Sequence, residues 1–295
     1  MQPIKKSLWS LHFAIILLGI TGLFSKIIPL NALEITFGRS IIAFMALLCF
    51  VVLQGRKIRL NCLKDYGIAI LLGAIMSVHW ITYFASMQYS SVSVGMIALF
   101  TFPIITVLLE PFFEDIKLVW QDILSSIIVV IGILLILPEN SIGNNVTQGI
   151  LIGIVSAFLY SLRNLLQRKY FNHYSGVQAM TYQTLIISIC LAGFISGDMI
   201  GADYTIYFYL IILGTICTAL PHTIIAFTLI HLRAKTFSLI ACMQPLYGII
   251  FAMLVLHEEP NLQTLLGGLM VISAAFYETF NASKLHKANQ LQNSS

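Results

Sequence analysis

Ten stretches of about 20 mostly apolar residues fill nearly the whole chain, and such lengths match a bilayer core about 30 Å thick. They run over 8–28, 34–53, 66–87, 92–112, 120–137, 148–169, 177–196, 205–230, 236–256 and 262–281, with short polar breaks between them. A segment in lipid has to satisfy its backbone polar groups internally, so each stretch is expected to be a helix. Of 295 residues only 9% are charged, against roughly 25% in a soluble domain. The expected fold class is an all-α polytopic membrane protein with ten transmembrane helices and no room for a soluble catalytic domain.

Lysine and arginine set the expected orientation. With the N-terminus cytoplasmic, Lys5, Lys6, Arg56, Lys57, Arg59, Lys64, Lys117, Arg168, Lys169, Arg233, Lys235, Lys284 and Lys287 fall on one side, and loops such as PENSIGNNVTQ and SGDMIGADYT carry no cation. That bias predicts an N-in, C-in topology. The net charge of +4 is then mostly a topology signal, with no patch suited to nucleic acid. The opening MQPIKKSLWSLHF resembles a signal peptide, but its apolar run is of span length and lacks a small-residue cleavage site, so a retained first helix is expected. The tail 282–295 reads as a disordered cytoplasmic end. Cys49, Cys62, Cys190, Cys217 and Cys242 are scattered and suggest neither a disulfide framework nor a metal site.

The chain also resembles itself. A shift of 142 residues lays VWQDILSSIIVVIG (119–132) over NLQTLLGGLMVISA (261–274) and Pro103 over Pro245. Nearby shifts match LLGAI with ILGTI and NALEITFGR with SGVQAMTYQ. Each half, 8–137 and 148–281, holds five spans, and an odd number turns the second copy upside down in the membrane. Inverted repeats of this kind point to alternating access around a site near the midplane.

Ten helices as two inverted five-helix repeats, each with a proline in its fourth helix and an acid beyond (FTFPIITVLLEPFFED and CMQPLYGIIFAMLVLHEEP), resemble the EamA-type transporters of the drug/metabolite transporter superfamily. GLFSK and EITFGR look like that family's opening, and the resemblance covers residues 8–281. One departure is that Glu258 follows Pro245 by 13 residues whereas Glu114 follows Pro103 by 11. The resemblance implies a cell-membrane protein, of the bacterial inner membrane, whose helices 1–4 and 6–9 surround a cavity while 5 and 10 sit at the edge. Its members move amino acids, other metabolites, nucleotide sugars or drugs.

Three cations fall inside the spans: Lys26, Arg39 and Arg163. Asn31 with Glu34 three residues later has the pattern of a capping box, which makes Glu34 structural. Arg39 lies more than a turn deeper, too far in for easy snorkelling, and needs a partner. A guanidinium suits a carboxylate or phosphate, so Arg39 and Lys26 are candidate pathway residues. On the sixth helix Ser156, Tyr160, Arg163, Asn164 and Gln167 recur at helical spacing as one polar stripe that must face protein or water. Arg163 either meets an anionic group or snorkels to the inner interface. On the third helix His79 and Tyr83 share a face with Trp80 displaced by about 100°. A histidine at that depth either shuttles protons or donates to a neighbouring carbonyl or serine. Gln183 and His222 of helices seven and eight, with Gln244 and Tyr247 of helix nine, complete the candidate substrate-binding set. Pro103 and Pro245 are candidate hinges because each removes a backbone hydrogen bond. Glu110, near the cytoplasmic end of helix four at the depth of Arg163, is a candidate gate partner for it.

The expected function is a secondary active transporter of small metabolites, amino acids or related compounds, working in export with a small-molecule solute and the lipid bilayer as partners and proton coupling as an option. No cofactor is expected. Two other classes were weighed. The sequence has no HExxH, no GxSxG and no paired intramembrane aspartates, which argues against an intramembrane enzyme, and no Walker-type GxxxxGK[ST]. A passive channel fits poorly with an inverted repeat and no signature pore loop.

Overall fold

A computed structural model describes residues 2–55, 58–113, 120–136, 144–228, 241, 243–274 and 276–277. The tail 282–295, the opening of the ninth run at 236–240, and Arg56, Lys57, Glu114, Lys117, Arg233 and Lys235 lie outside the described residues. Among the described residues the regular structure is helical, without a strand. Among these described residues seven helices are long and apolar enough to cross a membrane: α1 (Trp9–Ile27), α2 (Ala32–Leu53), α3 (Leu63–Tyr89), α4 (Val92–Phe112), α6 (Asn145–Tyr170), α7 (Gly176–Phe194) and α8 (Tyr204–Ile225). Between and after them come three shorter apolar helices, α5 (Trp120–Ile136), α9 (Gln244–Leu256) and α10 (Leu262–Ala274). A chain with this many apolar helices is a multi-pass membrane protein.

Several helix ends follow from single residues. At the start of α2 the Asn31 side chain accepts from the Glu34 amide while the Glu34 carboxylate accepts from the Asn31 amide, so the expected capping box is present. The same carboxylate accepts from the Ser196 hydroxyl, fastening α2 to the segment before α8. Ser91 caps α4, and the Glu258 carboxylate reaches across from the α9–α10 loop to accept from the amides of Val92 and Ser93 at 2.7 and 3.1 Å. A carboxylate at a helix N-terminus is favoured by the partial positive charge of the unpaired amides.

Prolines shape the helices from within. Pro103 cannot donate to the carbonyl four residues back, and α4 is broken at Phe100 and Thr101 into Val92–Leu99 and Phe102–Leu109. Pro103 is the second residue of the later piece, and Pro245 is likewise the second residue of α9. In α8 the five residues Thr215–Ala219 form a π turn just before Pro221. The carbonyl that Pro221 cannot serve is that of Cys217, and the Thr21 hydroxyl of α1 donates to it at 3.2 Å.

The helix contacts form an exchange pattern. Replacing each helix by the one five places later turns α3–α6 into α8–α1, α4–α6 into α9–α1, α2–α8 into α7–α3 and α2–α3 into α7–α8. Under the same operation α2–α7 and α4–α9 map onto themselves, and all of these contacts are present. α5 meets α10 where Gly132 approaches the Gly267 carbonyl. The outer faces of that pair are apolar and exposed (Ile123, Ile127, Val130 and Leu134 of α5; Leu262, Leu265 and Leu269 of α10), as expected for helices at the lipid edge.

One close seam lies between α3 and α6. A Cβ placed on Gly149 would sit 2.7–2.8 Å from Ser90 and the Ser86 carbonyl, and one on Gly153 would sit 2.6 Å from Ala98. Small residues spaced four apart let membrane helices approach to backbone contact, and here the Ser86 hydroxyl donates to the Gly149 carbonyl at 2.7 Å across the gap. Gly153→Leu should therefore destabilise the folded protein by about 1–3 kcal/mol through overpacking. A lower melting temperature of the detergent-solubilised variant checks this, and an unchanged one would mean that the seam tolerates a side chain.

Candidate functional site

Three helices bring the interior cations together. Arg39, on the buried face of α2, is 2% exposed. Its guanidinium carbon lies 3.9 Å from the Trp80 ring centroid and 5.2 Å from that of Phe84, so the cation stacks on α3. Trp80 and Phe84 are four residues apart and present one continuous aromatic face to it. Among the described residues Arg39 has no ion pair, and its Nε is fully enclosed with no hydrogen-bond partner. Leaving a cation buried without a counter-charge costs several kcal/mol, of which stacking on a desolvated ring offsets about 2.

Arg163, on α6, is held differently. Nε and one terminal nitrogen donate to the Gln183 Oε1 of α7 at 2.9 and 2.6 Å, and the other terminal nitrogen donates to the Asn164 Oδ1 at 2.9 Å. Gln183, 1% exposed, passes its own amide on to Gln167 at 3.0 Å. The later part of the polar stripe read from the sequence, Arg163, Asn164 and Gln167, is thus a hydrogen-bonded strip joining α6 to α7.

His79, next to Trp80 on α3, turns towards α6. Its Nδ1 is 2.8 Å from the Ser156 hydroxyl and 2.9 Å from the Ser156 carbonyl, and its ring stacks on Tyr160 at 4.9 Å. Tyr160 packs edge-on against Phe102 just before Pro103, and Tyr83 continues the aromatic lining from α3. His222 enters from α8, its Nδ1 2.7 Å from the Thr218 carbonyl. Arg39 reaches α3 through Trp80, the residue after His79, and His79 reaches α6 through Ser156 and Tyr160, so these side chains form one interior region.

The remaining candidates stand apart from that region. Gln244 and Tyr247 of α9 pack on Gly19 of α1, and the Tyr247 hydroxyl is 3.4 Å from the His12 Nδ1. Lys26 is exposed, and its Nζ donates to the carbonyls of Gln88 and Ser90, closing the C-terminal end of α3. Lysine is well suited there, because the last carbonyls of a helix are unpaired and carry partial negative charge.

The partner of Glu110 differs from the expected one. Glu110 pairs with Arg168 at 2.7 Å, while Arg163 is engaged with Gln183 and Asn164. Arg168 lies more than a helical turn beyond Arg163 on α6, and that rise brings it level with the end of α4. Near the same end Tyr174 donates to Asp65 at 2.6 Å and accepts from the Asn61 amide. Two contributors went unread in the sequence. Phe84, the second ring on Arg39, is signalled only by its four-residue spacing from Trp80, and Arg168 looked like an ordinary loop cation.

With this geometry in view, comparison with known proteins decides the family. The sequence model of the EamA-like transporter family matches twice, over residues 5–137 and 147–278. The chain belongs to the EamA-like transporter family. Its relatives include the uncharacterized transporter YdfC of Bacillus subtilis, 26% identical over 84% of this chain and 82% of that protein. Another is the S-adenosylmethionine uptake transporter of Rickettsia bellii, 20% identical over 86% of each. A crystal structure 12% identical in sequence superposes with a TM-score of 0.66 over 95% of this chain and 99% of its own, a likeness of fold. Membership in this family places the chain in the drug/metabolite transporter superfamily.

The two arginine arrangements in this EamA-like chain differ in energetic consequence. Arg168 is 52% exposed, so Glu110→Gln should change stability by less than about 1 kcal/mol. Arg163→Met leaves buried Gln183 short of its donors and should cost about 1–3 kcal/mol. Melting curves of the two variants side by side check the ordering, and equal losses would contradict it.

Proposed function

We propose that the chain is a secondary active transporter that moves a small metabolite by alternating access between two inverted five-helix repeats, 8–137 and 148–281. It crosses the membrane ten times with both termini cytoplasmic. The observation that carries this reading is the exchange pattern of helix contacts, in which a shift of five helices carries the contacts named above into one another. A chain whose halves pack equivalently can close at either membrane face with similar contacts, and that is what alternating access requires. The matched placement of Pro103 and Pro245 and the two family matches support the same repeats.

The solute sits among Arg39, Trp80, Tyr83, Tyr160 and His222, where α2, α3, α6 and α8 converge, and Lys26 and Glu110 act at opposite ends as closures. Amino acids or related compounds are the solute class, and the relative named for S-adenosylmethionine, itself an amino-acid derivative, is in keeping with that. Export is the direction that the family resemblance favours. The bonds of His79 to Ser156 favour a structural role for that ring over proton shuttling.

Counterflow in proteoliposomes tests the carrier. Vesicles preloaded with unlabelled amino acids should transiently accumulate labelled amino acid against its gradient. Ion current without solute exchange would indicate a channel, and a chemically altered product an enzyme. Pro103→Ala and Pro245→Ala should each slow counterflow while leaving solute-induced thermal stabilisation unchanged. Full-rate exchange by the double variant would remove the prolines from the moving parts.

A further inference from the structure

The two interior guanidiniums are in different chemical situations. All three nitrogens of Arg163 face acceptors from Gln183 and Asn164. Arg39 has one face against Trp80 with Phe84 nearby, and its Nε is enclosed without an acceptor. Stacking on a ring leaves the donor edge of a guanidinium unused, since the hydrogens lie in the plane and the ring meets the face. Among the described residues the buried carboxylates are committed elsewhere: Glu34 to Asn31 and Ser196, Asp65 to Tyr174. A buried cation held with its edge unpartnered and its face fixed is a site awaiting an anion.

We propose that Arg39 binds an anionic group of the transported solute, and that this group is the single carboxylate of a small organic acid or amino acid whose apolar part lies among Tyr83, Phe84 and Tyr160. Arg163 is a positioning residue that fixes α6 to α7. This rests on the carrier reading above and deepens it. Charge selects carboxylate over phosphate: one free guanidinium balances one negative charge, whereas a phosphomonoester brings about two. Geometry agrees, because a guanidinium edge presents two parallel N–H groups that match the two oxygens of a carboxylate. The Trp80 face keeps the plane of that fork from turning.

The test compares matched pairs that differ only at the acid: benzoate with benzamide, acetate with acetamide, and L-leucine with L-leucinamide. Each is added at millimolar concentration to the full-length protein in detergent and read by melting temperature, with inorganic phosphate as a further arm. In the wild-type protein at least one carboxylate should stabilise at a concentration roughly tenfold or more below its amide, and phosphate should not stabilise. Arg39→Lys should shrink that contrast and Arg39→Met should abolish it, while Arg163→Met keeps it at a lower starting melting temperature. The proposal is overturned if amides match their acids, if no carboxylate stabilises, if phosphate stabilises through Arg39, or if the contrast survives in Arg39→Met. The wild-type comparison decides the matter even where a variant does not fold. Counterflow with no acid–amide contrast sinks the anion site and spares the carrier, whereas contrast without counterflow does the reverse.

Discussion

Inside a bilayer a backbone carbonyl that leaves its helix has no water to turn to, and that constraint organises this protein. It forces the chain into helices, and then governs how the helices are interrupted. Pro221 removes the donor for the Cys217 carbonyl, and Thr21 from α1 supplies one. At the break in α4 the Thr101 hydroxyl donates to the Ala98 carbonyl, and Ser161 of α6 donates to Phe102 beside Pro103. Interruptions are therefore placed where a neighbouring helix brings a hydroxyl. The same hydroxyls knit the bundle together, so packing and backbone satisfaction are met by the same bonds.

The interior charge follows from that packing. Arg39 and Gln183 fall opposite one another when NALEITFGR is laid over SGVQAMTYQ, on α2 and α7, which touch. The two positions have diverged: the glutamine is bonded on both sides, while the arginine keeps an unmatched charge against an aromatic face. An arrangement that is balanced in its backbone and unbalanced in its side chains can bind a charged solute without giving up its fold.

Local signals in the sequence were legible and distant ones were not. The capping box at Asn31 and Glu34 was read correctly because both partners lie within one helical turn. The stripe from Ser156 to Gln167 was legible as polar for the same reason, yet nothing in it says that Arg163 turns to Gln183, which depends on how α6 and α7 are set in height. Glu110 shows the limit most clearly, since a difference of little more than one turn moved its partner from Arg163 to Arg168. Lys26 looked like a pathway cation and instead closes the end of α3, a role decided by where α1 ends beside it. When LLGAI is laid over ILGTI, His222 falls two residues past the position that matches His79, and this has a partial physical cause. The π turn at Thr215–Ala219 places an extra residue between the matched ILGTI and His222.

The glycine seam between α3 and α6 bears on what can move. Where the Gly149 backbone lies on that of Ser86, those helices have no side-chain layer to shear, and under the exchange pattern α8 packs on α1. α4 packs on α6 and α9 on α1. The units that this packing holds together are then not the two halves of the sequence: each is a clasp of two helices from one half around one from the other, α3 and α4 with α6, and α8 and α9 with α1. Severing the chain between the repeats would separate neither clasp into its parts, because each is already held by both halves.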